Sequence, residues 1–124
     1  MGKILADTSF IMSCVKQGID IKSEFDRLDI ELVVPDLVFY ELKELASAGN
    51  AKEMQDAELA LQLLHRQEAK IIELLLVKNV DNSIIEFAIK NSVGVATLDR
   101  GIKNKLWGKV PVVFIKDKKS VEIG

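Results

Sequence analysis

Cysteine is almost missing from these 124 residues, and Cys14 stands alone. An intrachain disulfide and any multi-cysteine zinc site are thereby excluded. Its apolar neighbours make Cys14 a buried small hydrophobe rather than a reactive thiol. Histidine is as scarce: His65, late in a long helical pattern, reads as a surface residue. No apolar run is long enough to span a bilayer, the longest being of the kind Ile71 to Val77. No charged-then-apolar leader with a small-residue cleavage site opens the chain, so a cytoplasmic protein without a membrane partner is expected. Neither GxGxxG nor GxxxxGK[ST] occurs, so nothing argues for a dinucleotide or P-loop site. No sign of charge dominates. At a formal net charge of -2, a nucleic-acid partner would need a local basic patch rather than the whole surface.

What the chain does contain is an alternation of short apolar strands and helices. Without internal repeat, low-complexity stretch or linker, it reads as one domain over residues 1–124, large enough for a core. Ile4 to Ala6 form a buried strand, and Thr8 to Gln17 a helix ending at Gly18. Asp20 caps a short helix through about Leu28, with Ile21 and Phe25 on its inner face. Glu31 to Val34 form a second strand, stopped by Pro35. Asp36 is expected to cap a helix with Leu37, Val38, Leu42 and Leu45 as its apolar stripe. Gly49 and Asn50 break the chain before a long helix, Ala51 to Glu68. Lys70 to Val77 reads as a continuous strand, and Val80 to Asn91 as a helix. Val93 to Thr97, Asp99 to Trp107 and Pro111 to Ile115 give strand, helix and strand. The rest, 116–124, reads as a polar tail that frays or pairs at an edge. Apolar strands separated by helices imply a parallel sheet covered on both faces, a three-layer α/β fold.

Four acids stand where such a fold gathers ligands, near the carboxyl ends of its strands. Asp7 leaves the first buried strand, a costly place for a carboxylate without partners. Glu41 falls on the apolar stripe of its own helix, four residues from both Leu37 and Leu45, instead of on the solvated side with Lys43. Asp81 and Asp99 open helices, and each taken singly is explained as an N-cap. Together the four are expected in one crevice, their carboxyl groups within about 4–8 Å of one another. Clustered carboxylates repel and resist ionising unless a divalent cation compensates them. Oxygen-only donors suit Mg²⁺ or Mn²⁺.

These segments resemble the PIN domain, a family of metal-dependent ribonucleases with a Rossmann-like sheet. The resemblance rests on ILADTSFIM around Asp7, VPDLVFYELKEL around Glu41, VDNSIIEFAIKN around Asp81 and VGVATLDRGIKNKL around Asp99, with VPVVFI as a matching final strand. It spans essentially the whole chain. It implies an α/β/α fold with a five-stranded parallel sheet of order 3-2-1-4-5, and a site in which Asp7, Glu41, Asp81 and Asp99 bind Mg²⁺ or Mn²⁺ and hydrolyse RNA phosphodiesters. Ser9 and Thr97 fall where the family often has small polar residues that orient the acids. Asn82 stands where many relatives carry a further acid, which puts a fifth ligand in doubt.

A cation held by Asp7 and Asp99 suits activation of a water, and one held partly by Glu41 and Asp81 suits stabilisation of the leaving 3′ oxygen. Arg100, Lys103 and Lys105 follow Asp99 closely and are candidates for contact with the RNA backbone. Trp107 is read as a cap on the core more than as a stacking platform. Two roles fit: the toxin of a toxin–antitoxin pair, or an RNA-maturation nuclease. The partners in view are an RNA substrate, an antitoxin or RNA-processing protein, and a second copy of the chain. The alternative is a non-catalytic PIN-like scaffold that binds RNA or protein.

Overall fold

Strand β1, Gly2–Ala6, sits in the interior of the sheet, with Ile4, Leu5 and Ala6 all buried. The computed structural model describes residues 2–124. β1 pairs in parallel with β2, Ile30–Pro35, on one side and with β4, Gly94–Ala96, on the other. Parallel strands bury both faces, which is why ILA, LVV and GVA carry no polar alternation. β3, Lys70–Ile72, pairs with β2, and β5, Val112–Lys116, with β4. The order across these five strands is β3-β2-β1-β4-β5.

The chain thus steps outward from β1 to β3, then returns to the other side of β1. Right-handed crossovers in the two directions put their helices on opposite faces. On one face α1, Thr8–Gln17, α3, Asp36–Ala48, and α4, Ala51–Arg66, pack against one another. On the other, α5, Val80–Asn91, packs with α6, Arg100–Leu106. Gly18, at φ 70°, ends α1 in the left-handed conformation that glycine adopts without penalty. Asp20 accepts from Ser23 N and caps α2, Ile21–Arg27. Asn50 and Glu53 close a reciprocal capping box on α4.

The sheet departs from five parallel strands in one respect. Residues Ser120–Ile123 form β6, antiparallel to β5, so the sheet has six strands and is mixed. What reads as a polar tail hides Val121, fully buried, and the side chains of α2 hold its backbone. Val121 N donates to Glu24 Oε1 at 2.8 Å, and Arg27 Nη2 donates to Val121 O at 2.6 Å.

Two element boundaries also differ from the sequence reading. β3 stops at Ile72 rather than Val77, because its partner β2 ends at Pro35 and turns into α3. Beyond it Leu74 is buried while Leu75 and Leu76 are exposed. Asp36 is not the N-cap of α3; Pro35 is, and Asp36 Oδ1 instead accepts from both Leu37 N and Leu74 N. That carboxylate fastens the chain leaving β3. Trp107 is 58% exposed and lies against Gly124 at the end of α6, so its share in covering the core is small.

No helix among the described residues is long and apolar enough to cross a membrane. Cys14 is buried, and that burial, with the Glu24 charge behind it, pushes its thiol up to about 12.

Candidate functional site

Asp7 follows β1 directly and is only 4% exposed. Its extended backbone makes it the N-cap of α1, so Oδ1 accepts from Phe10 N at 2.8 Å. Ser9 Oγ donates to the same oxygen at 2.9 Å, and Thr97 Oγ1 donates to Oδ2. Thr97 is fully buried just past β4, where Asp7 N also donates to Ala96 O. The Thr97 hydroxyl accepts from Asp99 N at 3.0 Å, so one side chain ties Asp7 to the turn that presents Asp99. Burial raises Asp7 above the ordinary carboxylate value of 3.8. The hydrogen bonds from Thr97, Phe10 and Ser9 act against that rise, and the negative charge of Asp81 adds to it.

Asp99 caps α6, accepting from Ile102 N at 3.0 Å, and is exposed. Asp81 is a different case from the cap that the sequence suggests. Asn79 caps α5, accepting from Asn82 N, while Asp81 lies one position inside the helix with an exposed carboxylate. A helix cap therefore does not explain Asp81. Glu41 is half-buried on α3 and accepts from Thr8 Oγ1 at 2.5 Å.

Asp7, Glu41, Asp81 and Asp99 line one crevice of about 350 Å³ at the carboxyl edge of the sheet. It opens between β1 and β4, the point where the strand order reverses. Thr8, Ser9, Met12, Leu45 and Val80 complete its wall, together with a fifth carboxylate, Glu53. Glu53 escapes a reading of the sequence because Asn50-x-x-Glu53 is fully accounted for as a capping box. Only the turn between α3 and α4 brings it beside Glu41.

Among the described residues, no three His, Cys, Asp or Glu side chains stand close enough to hold one metal together. Like charges keep apart, and each acid except Asp81 is drawn toward a local donor: Thr8 for Glu41, Ile102 N for Asp99, and three donors for Asp7. The donor set is nonetheless all oxygen, as Mg²⁺ or Mn²⁺ requires, and Mg²⁺ keeps most of its water and needs only one or two carboxylates. An ionised carboxylate has about four acceptor positions, so even Asp7 retains one.

Of the other residues picked from sequence, Ser9 lines the crevice and Thr97 stands behind Asp7. Asn82 is half-buried and does not line it. Neither do Arg100, Lys103 and Lys105, and the Lys103 ammonium lies 5.0 Å from the ring centre of Phe114 on β5.

No curated protein matches the sequence. In fold the chain is similar to a domain of a functionally unknown protein from Methanocaldococcus jannaschii DSM 2661, with 16% identity over 94% of this chain and 92% of that one, at a TM-score of 0.60. It is similar also to PAE2754 from Pyrobaculum aerophilum, with 17% identity over 88% and 90% of the two chains and a TM-score of 0.62. At such identities the likeness speaks for the fold alone. The profile of the PIN like domain matches residues 4–118, a span that runs from within β1 through β5 and includes all four acids of the crevice, and the chain belongs to the PIN-like domain family.

Proposed function

We propose that this chain is a divalent-metal-dependent ribonuclease, hydrolysing RNA phosphodiester bonds with Mg²⁺ or Mn²⁺. The reading is carried by one observation: in a PIN-like domain, four carboxylates from four parts of the fold line a single crevice at the strand-order reversal. A buried carboxylate among like charges lowers stability, so a function is the physical reason to keep it.

Asp7 and Asp99 would hold one ion, and Glu41 and Asp81 would contribute to a second. When bound, such an ion supplies a water made nucleophilic at neutral pH and offsets the charge growing on the leaving 3′ oxygen. The chain's own part is positioning. Thr97 and Ser9 fix the Asp7 carboxylate, and the bond from Ile102 N holds one oxygen of Asp99. Thr8 steadies Glu41 in the same way.

The test is cleavage of a labelled single-stranded RNA in Mn²⁺ or Mg²⁺, with EDTA and Asp7→Asn as controls. Cleavage that needs the ion and Asp7 supports the reading; undiminished cleavage by Asp7→Asn points to a contaminating nuclease or another site. The separation of the acids favours a second reading, a PIN-like scaffold that binds RNA or protein without cutting. Calorimetric titration with Mn²⁺ separates the two, since a scaffold has no need of the ion. As for its role, a toxin half would be encoded beside a small DNA-binding antitoxin, and an RNA-maturation nuclease would not.

A further inference from the structure

We propose that the turn between β5 and β6, Lys116 to Lys119, forms with Arg100 a ridge that holds the phosphate backbone of single-stranded RNA beside the carboxylate crevice. The proposal rests on the nucleic-acid reading above and adds a surface that the sequence pattern around Asp99 does not indicate.

Charge is distributed very unevenly along the chain. Residues 100–119 hold seven of the 17 basic side chains against a single acid, Asp117. The other residues hold ten basic side chains against 18 acidic ones. Elsewhere Lys22, Arg27, Lys52 and Lys70 are spent in ion pairs; among the described residues, none of the seven is. Lys116, Lys118 and Lys119 are all exposed.

Topology then puts this charge next to the site. β1, β4 and β5 are parallel, so their carboxyl ends share an edge, and Asp7, Asp99 and the turn all follow those ends. β5 lies two strands from β1, a lateral distance of ~10 Å. Ala6 is level with Ala96, and Ala96 with Val113, so Lys116 stands three residues, ~10 Å, above the crevice floor. Lys116 shares its face of the strand with Phe114, the face on which Lys103 of α6 lies. α6 begins beside Asp99, so Arg100 is at the same end of the molecule as the turn. Lys103, lying over Phe114, is thereby a packing residue as well as a charge, and Lys105, about 200° further round the helix, faces away from it.

A phosphate strand approaching five carboxylates is repelled by them. A basic ridge ~10 Å to one side offsets that repulsion and fixes the strand's direction without reading its bases. Two residues of the turn, Asp117 and Lys118, have left-handed φ of 55° and 57°, and Lys119 N donates to Lys116 O at 3.1 Å. The turn is tight, and its three lysines project from a paired hairpin rather than a loose tail.

The test uses the full chain in EDTA, with fluorescence anisotropy of a labelled single-stranded RNA over a salt series. Lys116→Gln, Lys118→Gln and Lys119→Gln are combined and compared with a control triple, Lys3→Gln, Lys16→Gln and Lys90→Gln, which lie at the start of β1 and in the last turns of α1 and α5, toward the amino ends of the strands. Circular dichroism checks that both fold. The hairpin triple is expected to weaken binding at least tenfold at 0.1 M salt and to flatten the log–log salt slope by about 2, at roughly 0.7 per phosphate contact. The control should change affinity less than about twofold. Equal losses in both triples, an unchanged hairpin triple, or no binding by the wild type would overturn the ridge. If binding depends on the hairpin yet no RNA is cut in Mn²⁺, the ridge stands and the ribonuclease reading falls. Cutting with hairpin-independent binding gives the reverse.

Discussion

Asp7 receives three hydrogen bonds, yet burial still leaves its carboxyl group above the ordinary value. The consequence for stability has a definite sign. The folded state holds a proton on Asp7 more tightly than the unfolded chain, so stability falls as pH rises from about 3.8 through the raised value. Above that window the penalty is fully present. Asp7→Asn removes it, and Asn keeps the capping role. In EDTA at neutral pH the variant should therefore melt at or above the wild type, and its melting temperature should lack this acid-range slope. Mg²⁺ should raise the wild type by about 1.4 kcal/mol at ten times its dissociation constant and help the variant less. A variant that melts well below the wild type would make Asp7 a structural cap. Thr97→Val tests the same junction from behind. It removes a buried hydroxyl that serves both Asp7 and Asp99 N, at an expected cost of about 1–3 kcal/mol by urea denaturation. Without the Thr97 donor Asp7 ionises less readily, so any Asp7-dependent cleavage should shift its pH profile upward.

Helix ends carry the next set of constraints. α5 ends on Ser92 in the left-handed conformation, φ 53°, with its N–H donating to Ala88 O. That conformation costs a residue with a Cβ roughly 1–2 kcal/mol, part of which glycine returns as unfolded-chain entropy. Ser92→Gly is expected to raise stability by about 0.5–1 kcal/mol in thermal melts, with no effect at the distant crevice. Gly49 is needed for the opposite reason. Its φ of -74° suits any residue, but an added Cβ would stand 2.7 Å from Leu45 O and 2.9 Å from Glu53 Cβ. Gly49→Ala should therefore destabilise, by about 1–3 kcal/mol, as overpacking does. It should also displace Glu53 and disturb the crevice wall, so Mn²⁺ affinity by calorimetry should change along with the melting point. Loss of stability with unchanged affinity would separate Glu53 from the site.

At the scale of the molecule, the mixed sixth strand closes one edge of the sheet against α2. Deleting residues 117–124 would expose β5 as an edge and release the two hydrogen bonds between Val121 and α2. With the loss of Val121's burial, the expected cost is about 3–5 kcal/mol in urea denaturation. A tail that merely frayed would cost almost nothing. The opposite edge is less protected, since β3 has three residues and Leu75 and Leu76 lie exposed beyond it.

The sequence by itself determined the layered α/β architecture, because buried parallel strands need continuous apolar runs such as ILA and GVA, and helices need stripes like that of α3. It placed Asp7 and Asp99 at strand ends, and it marked Glu41 by its departure from the solvated side of its helix. Local patterns reach no further than one element. Fraying and edge pairing of the tail look alike in sequence because β6 buries one residue in four, and β3 reads too long because periodicity does not register where a partner strand ends. Asp36 reads as a cap that Pro35 in fact supplies, and Asn79 takes the cap that Asp81 taken singly suggests, since the residue that caps depends on where the chain enters the helix. Tertiary structure alone decided that Glu53 joins the crevice and that the β5–β6 turn rises beside it. Both depend on which strand ends lie side by side, and strand order is a property of the whole sheet.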